Sequence, residues 1–245
     1  MRRITENISL KQYNTFGIDA RARYFAGFGS ADELAELLAW AGAHGVSAAG
    51  HDDDAAGSGE DFAGSGDNGR LLILGGGSNV LLTRDVDGLV LRNEIRGIEL
   101  IDEDADHVYV KAGAGEVWQG FVEYCLGRDW GGVENLSLIP GSVGAAPMQN
   151  IGAYGVELRD VFYGLEAWHI GEAKTYTFTL NDCAFGYRES VFKRQYRNQF
   201  VILNVIFRLA KKPVFHISYG AIKEELERAG VRELSIRAVS QAVIS

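Results

Sequence analysis

The residues whose types and spacing could do chemistry fall into three stretches. In the first, Gly75-Gly76-Gly77-Ser78-Asn79 follows the short apolar run Leu71-Leu72-Ile73-Leu74. Backbone N–H groups unhindered by side chains, with a small hydroxyl and an amide beside them, can surround a phosphate. No Gly-Lys-Ser/Thr follows, so the loop is not a nucleoside-triphosphate P-loop. Taken alone it is equally a glycine turn with no ligand. The second stretch runs from Glu134 to Gly155 and includes Pro140, Gly141, Ser142, Gly144, Ala145, Asn150, Gly152, Ala153 and Tyr154. So many small residues, with neither helical nor strand period, imply a backbone packed close against something flat or bulky, and a buried ligand explains that better than a solvent loop. Tyr154 and Asn150 could add stacking and polar contacts, although a core tyrosine is an equal reading of Tyr154. In the third stretch, Phe185 to Lys193, Arg188 stands among aromatics. It either pairs with a carboxylate such as Glu189 or holds a substrate carboxylate through its planar fork.

A fourth stretch imitates a dinucleotide fingerprint. Gly113-Ala114-Gly115-Glu116-Val117-Trp118 follows a strand and opens a helix, but Trp118 stands where the third glycine is needed. Its surroundings read as an antiparallel hairpin rather than a parallel crossover, so it is rejected as a Rossmann site.

The elements that must position these stretches are mixed α and β. Tyr24–Phe28 reads as a strand, followed by a helix opened by Ser30 with Glu33 three residues on, carrying Leu34, Leu37, Leu38 and Ala41 on one face and ending at Gly45. Leu71–Leu74 and Leu89–Leu91 read as buried strands, and Ile98–Ile101 with His107–Ala112 as a hairpin turning at Asp102–Asp106. A helix over Val117–Leu126 presents Trp118, Phe121, Val122 and Cys125 on one side, and strands are expected at Tyr163–Ile170, Thr175–Leu180 and Val201–Leu209. Ile222 and Leu226 mark a helix ending near Gly230. Ile236, Val239 and Val243 mark another that reaches the last residue without a cap, so the chain is expected to stop inside a helix. Between Ser47 and Gly69 six acidic residues accompany no basic one and a single aromatic, which predicts a disordered surface insert. Its Asp spacing lacks the register of a calcium loop.

With 245 residues, 47% hydrophobic and 23% charged, the chain can bury a sizeable core. A net charge of -9 argues against nucleic acid as a partner, which would demand clustered Lys and Arg. No run approaches the ~20 apolar residues of a membrane span, and the N-terminus has no apolar run behind its basic residues. Two cysteines, Cys125 and Cys183, without metal or redox spacing suit a reducing compartment, so the cytoplasm is the expected location. No oligomeric state follows from these features.

Taken together, the stretches resemble the UDP-N-acetylenolpyruvoylglucosamine reductases of peptidoglycan synthesis. The resemblance is carried in order by Asn14-Thr15-Phe16-Gly17-Ile18, Gly75-Gly77-Ser78-Asn79, Val110–Gly115, Gly132-Val133-Glu134-Asn135-Leu136, Ile139-Pro140-Gly141, Gln149–Gly155 and Phe185-Gly186-Tyr187-Arg188-Glu189-Ser190. It implies an α+β fold, the two-lobed FAD-binding module of the vanillyl-alcohol-oxidase or PCMH type. The lobes are expected at residues 1–70, carrying the acidic insert at 47–69, and 71–215, with 216–245 beginning a truncated substrate-binding domain. It also implies an NADPH-dependent flavoprotein oxidoreductase acting on a CH–CH bond. Non-covalent FAD would be reduced by NADPH and would pass hydride to the enolpyruvyl double bond of a UDP-sugar, giving UDP-N-acetylmuramate.

By the same resemblance, Gly75 to Asn79, together with Pro140, Gly141, Ser142, Gly144, Ala145, Asn150, Gly152, Ala153 and Tyr154, would hold FAD. Arg188 would be catalytic, stabilising charge beside the substrate carboxylate, while Tyr187 and Tyr219 would touch substrate, Tyr219 on a loop closing over the nucleotide. The acidic insert is foreign to the family pattern. So is the lack, within these 245 residues, of the Gly-Ser-Phe-Phe-Lys-Asn-Pro segment with its serine proton donor and of the later glutamate. The chain is therefore expected to be a fragment that binds FAD and cannot complete the reduction. Two alternatives stand beside this reading: another flavoprotein of the module, with flavin tethered to His or Cys, and a non-catalytic nucleotide-binding module.

Overall fold

A computed structural model describes residues 4–47 and 69–245. Residues 48–68, the body of the expected disordered insert, lie outside the described residues, so that expectation is not addressed by the fold.

Two five-stranded sheets carry the chain. The first is built from β1 (Thr5–Ser9), β2 (Arg21–Phe28), then helix α1 (Ala31–Ala43), β3 (Val46–Ser47), β4 (Gly69–Leu74) and β5 (Val86–Asn93), in the spatial order β1-β2-β5-β4-β3. Only the β1–β2 pair is antiparallel; β2, β5, β4 and β3 run parallel. Parallel strands are covered on both faces and so read as continuous apolar runs, as Leu89, Val90 and Leu91 do, all three fully buried. One face carries Leu89, Leu91, Ala26 and Phe28 against Leu34, Leu37 and Ala41 of α1. The other carries Val90, Leu72 and Leu74 against Leu10 and Leu82. The Ser30 hydroxyl accepts from Glu33 N at the start of α1, and Gly45, at φ +71°, follows its end.

The second sheet begins with the hairpin β6 (Ile98–Glu103) and β7 (His107–Gly113), after which α2 (Trp118–Leu126) crosses to one face. A two-stranded ribbon, β8 (Gly152–Ala153) and β9 (Val156–Glu157), precedes β10 (Phe162–His169), β11 (Lys174–Thr179), the short helix α3 (Leu180–Cys183) and β12 (Phe200–Ala210). The order is β11-β10-β12-β7-β6, antiparallel throughout. Trp118, Phe121, Val122 and Cys125 of α2 are all buried against it, with Phe121 and Phe207 ring centroids 4.3 Å apart. Helices α4 (Ile222–Arg228) and α5 (Ile236–Ile244) lie over the 134–155 run: Ile236 joins the main core, and the Ser137 and Ser240 hydroxyls meet at 2.7 Å.

The first sheet thus takes in residues through Asn93, past the lobe boundary at 70/71 expected from the sequence. The cause is pairing: β4 and β5 bond in parallel to each other and to β2, not to the hairpin that follows. The sheets join where Val201 and Leu203 of β12 enter the core of the first. Buried Asn93 ties the junction, donating from Nδ2 to Ile202 O at 2.9 Å and accepting from Ile95 N at 3.1 Å. Asn93→Ala removes both bonds and strands an amide, so we expect a loss of about 2 kcal/mol, read as a lower urea midpoint.

Candidate functional site

The chain leaves buried Leu74 at the end of β4 and turns at once into the glycine loop. Ligands of such sheets gather at the carboxyl ends of parallel strands, where this loop lies. Gly77 sits at φ +68°, and a Cβ there would be 1.9 Å from Tyr13 O. Thr15 N donates to Gly77 O at 3.1 Å, so residues 13–15 clasp the loop from one side. Asn14 fixes that clasp: its amide donates to Leu10 O and Ile18 O and accepts from Ile18 N.

From the other side comes the second stretch. A Cβ on Gly76 would lie 3.1 Å from Gly141 Cα, one on Gly75 2.6 Å from the Ser142 hydroxyl, and one on Gly141 3.1 Å from the Ser78 hydroxyl. The structure therefore brings Gly75, Gly76 and Ser78 against Gly141 and Ser142, although more than 60 residues separate them in sequence. Among the described residues no protein acceptor takes the backbone N–H of Gly75, Gly76, Gly77, Ser78, Asn79, Gly141 or Ser142. A polar backbone patch of this kind needs a partner, either water or a bound anion. Its chemistry fits a dinucleotide's diphosphate: convergent N–H donors, two hydroxyls and no side chain in the way. Gly76, Asn79, Pro140 and Ala145 are exposed along the same rim.

Gly141 to Gly144 thread along the residues that open α2: Trp118 N donates to Gly141 O, Val143 N to Glu116 O and Gly144 N to Ala114 O. The fingerprint-like Gly113 and Gly115 are packing glycines at the end of an antiparallel strand, since their Cβ atoms would meet Ile95 O at 2.5 Å and Asn93 O at 2.7 Å. Val143 to Gln149 form a 3-10 helix with Pro147 inside it, ended by Asn150 in the left-handed region. The Asn150 side chain is 1% exposed and fully engaged within the chain: Nδ2 donates to Glu157 Oε2 and Gly186 O, and Oδ1 accepts from Arg159 N. Gly152 and Ala153 lie in the β8–β9 ribbon, with Gly152 exposed.

The third stretch makes a tight turn in which Gly186 and Glu189 exchange backbone hydrogen bonds across Tyr187 and Arg188. Tyr187 is 82% exposed, and Arg188 stands exposed at φ +52°. Glu189 is paired with Arg194, so the pairing of Arg188 with Glu189 weighed from the sequence is not made. Among the described residues the Arg188 guanidinium has no ion pair. Ser190 pins the turn's base, donating to Met148 O at 2.7 Å and accepting from Phe192 N.

Tyr154, at φ +50°, packs against Ile222, Leu226 and Val239 beneath α4 and α5. Tyr219 is exposed beside Gly155, whose Cβ would lie 3.5 Å from that of Tyr219. Asn135 holds both segments, donating to Tyr154 O and His216 O. The three stretches thus join end to end, from the glycine loop through Ser142 and Asn150 to Arg188, with Tyr219 flanking. Both thiols are buried. Burial pushes Cys183 up to about 12 and Cys125 higher, so both stay protonated. No cluster of three or more His, Cys, Asp or Glu suited to a metal occurs among the described residues, and none of their helices is long and apolar enough to cross a membrane.

Tyr13, Asn93 and Glu157 also shape the site and were missed in the sequence. Only Asn93 left a signal there, a lone amide closing the apolar run Leu89–Leu91, because the partners of all three are set by tertiary contact.

The chain matches a family model described as an FAD binding domain over residues 63–177. It is 42% identical to the UDP-N-acetylenolpyruvoylglucosamine reductase of Flavobacterium johnsoniae, covering 99% of this chain and 65% of that protein. It is 43% identical to that of Pseudomonas putida, covering 98% and 64%. Among solved structures, it matches the UDP-N-acetylenolpyruvylglucosamine reductase of Thermus caldophilus with a TM-score of 0.62 at 22% identity, covering 99% of this chain and 70% of that one. It matches BBE-like 1 of Physcomitrella patens at 0.57 and 13% identity, covering 85% and 42%. The mixed α/β architecture is that of an FAD-binding domain of the PCMH type.

Proposed function

Because the chain is a homologue of the UDP-N-acetylenolpyruvoylglucosamine reductases over nearly its whole length while spanning about 65% of theirs, we propose that it forms the FAD-holding part of such a reductase in peptidoglycan precursor synthesis. The observation that carries the reading is the run of unpaired N–H groups from Gly75 to Asn79, faced by Gly141 and Ser142. FAD bound there would supply two-electron hydride chemistry between NADPH and the enolpyruvyl group of a UDP-sugar, the cofactor doing what no side chain here can.

The chain's own residues orient and stabilise. The glycine-loop amides and the Ser78 and Ser142 hydroxyls would hold the diphosphate. Pro140, Gly144, Ala145, Gly152, Ala153 and Tyr154 would line the rest of the cofactor. Hydride addition to the terminal methylene carbon of the enolpyruvyl group would move the double-bond pair onto the carbon that bears the carboxylate, leaving negative charge there until a proton is added. The unpaired Arg188 fork meets that carboxylate and stabilises the charge where it develops. Exposed Tyr187 and Tyr219 flank the nucleotide sugar. With a nucleotide-sugar substrate of this kind, the compartment proposed is the cytoplasm.

These 245 residues contain no serine-bearing Gly-Ser-Phe-Phe-Lys-Asn-Pro segment to return a proton, so by themselves they bind FAD without turnover. The test is an absorption spectrum of the purified chain followed by FAD titration of the apoprotein. One flavin per chain, released on denaturation, is expected, with no NADPH-dependent loss of the enolpyruvyl substrate. Failure to bind FAD at millimolar concentration overturns the cofactor assignment. Flavin that survives denaturation favours a tethered-flavin oxidase, and steady turnover refutes the division of labour.

A further inference from the structure

The Tyr187–Arg188 turn projects from the protein with an arginine in the left-handed region, where turns ordinarily place glycine. A non-glycine residue holds that conformation only where its surroundings over-determine it. Two buried side chains do so. Ser190 ties the outgoing arm to Met148 O at 2.7 Å, and Asn150 ties the incoming arm to Gly186 O at 3.0 Å.

Asn150 is itself held on all sides. Its second N–H goes to Glu157 Oε2 at 3.1 Å, its carbonyl accepts from Arg159 N at 3.0 Å, and Arg159 Nε closes on Glu157 Oε2 at 2.7 Å. Asn150 lies in the left-handed region at φ +44°, which asparagine tolerates. Glu157 also caps the turn Leu158–Asp160 through a reciprocal pair with Asp160, which fixes its backbone. With both N–H groups and its carbonyl engaged, the Asn150 amide has no donor left for a cofactor.

We propose that Asn150, oriented by Glu157 and Arg159, is a positioning residue that sets the Tyr187–Arg188 turn and thereby the direction of the Arg188 guanidinium, rather than a cofactor contact. Its catalytic meaning rests on the assignment of Arg188 to the substrate carboxylate. The placement of the turn does not.

The experiment follows trypsin cleavage of the folded chain after Arg188, with cleavage after exposed Arg228 in α4 as the internal reference and FAD affinity measured in parallel. Asn150→Gly keeps the left-handed backbone and deletes the amide. It is expected to speed cleavage at Arg188 about tenfold relative to Arg228 while FAD affinity stays within about twofold. Glu157→Gln keeps an oxygen to accept from Asn150 and should hold the parent rate within about twofold. Should Asn150→Gly fail to fold, Asn150→Asp keeps the acceptor for Arg159 N but cannot donate to Gly186 O, and should likewise speed cleavage at Arg188 relative to Arg228, an unchanged ratio overturning the proposal. An unchanged Arg188 rate, an equal acceleration at Arg228, or a loss of FAD affinity with the turn unaffected would each overturn the proposal. Because cleavage needs neither flavin nor substrate, a chain that binds no FAD still decides it.

Discussion

A Gly77→Ala chain is expected to lose flavin binding and to melt about 6–12 °C lower, equivalent to about 3 kcal/mol for a chain of this size. Two effects add. The residue sits at φ +68°, where any side chain costs about 1–2 kcal/mol. Its Cβ would also stand 1.9 Å from Tyr13 O and 2.8 Å from Tyr13 C, and that backbone has nowhere to go. Asn14 is held by three hydrogen bonds, and the Tyr13 ring is stacked on Phe25 with centroids 4.6 Å apart. Relief must therefore come from the loop, which moves the very N–H groups assigned to the diphosphate. Gly76→Ala is the calibrating variant: it meets Gly141 Cα at 3.1 Å without positive φ, and should cost about 1 kcal/mol with measurable flavin binding. Flavin titration and thermal melting read both variants. Parent-like affinity in Gly77→Ala would remove the glycine loop from the cofactor site.

The second large effect concerns Arg188. Arg188→Gly should stabilise the chain slightly while weakening the flavin-loaded protein's affinity for the enolpyruvyl UDP-sugar by about tenfold to a hundredfold, the worth of a charge-assisted hydrogen-bond pair. The sign on stability follows from two opposed terms. Leaving the left-handed region gains about 1–2 kcal/mol, and the freedom glycine adds to the unfolded chain returns about 0.5–1. A net gain of about 0–1.5 kcal/mol remains. Arg188→Lys should keep the strain and still bind weakly, because an ammonium lacks the planar fork. Urea denaturation and substrate-induced changes in the flavin spectrum separate the two quantities. A stability loss in Arg188→Gly, or an unchanged substrate affinity, contradicts the role given to this turn. Improved stability with impaired binding is the signature of strain kept for function.

The elements legible in the sequence were those whose burial leaves a period. The strand at Tyr24–Phe28, the runs at Leu71–Leu74 and Leu89–Leu91, the hairpin after Ile98 and the helix carrying Trp118 and Phe121 all appear close to where their patterns place them. β1 was invisible because Thr5–Ser9 is an edge strand, mostly exposed and with no alternation to read. Pro147 and its small neighbours hid the 3-10 helix over Val143–Gln149, whose buried face is only Val143, Ala146 and Pro147, too short a period to stand out among so many small residues. The extent of the first sheet was not legible because nothing local says that Leu71–Leu74 pairs with β5 rather than starting a new sheet. At the site, the strings of small residues were legible as strings. What they touch was not: Gly77 against Tyr13, Gly75 against Ser142 and Asn150 against Gly186 are contacts between residues 36 to 67 positions apart, created only by the fold.

The β3–β4 pairing has a practical side. Val46 lies opposite Gly69 and Ser47 opposite Arg70, so the two strands stand as neighbours at the rim of the first sheet, remote in topology from the glycine loop at the far end of β4. The 21 residues that join them in sequence are thus a splice site for the protein engineer. Closing a longer connection there costs only about 0.6 kcal/mol per doubling of its length. A reporter peptide, an affinity handle or a short linker can be exchanged at this junction while the parallel register that aims the phosphate-facing amides stays as it is.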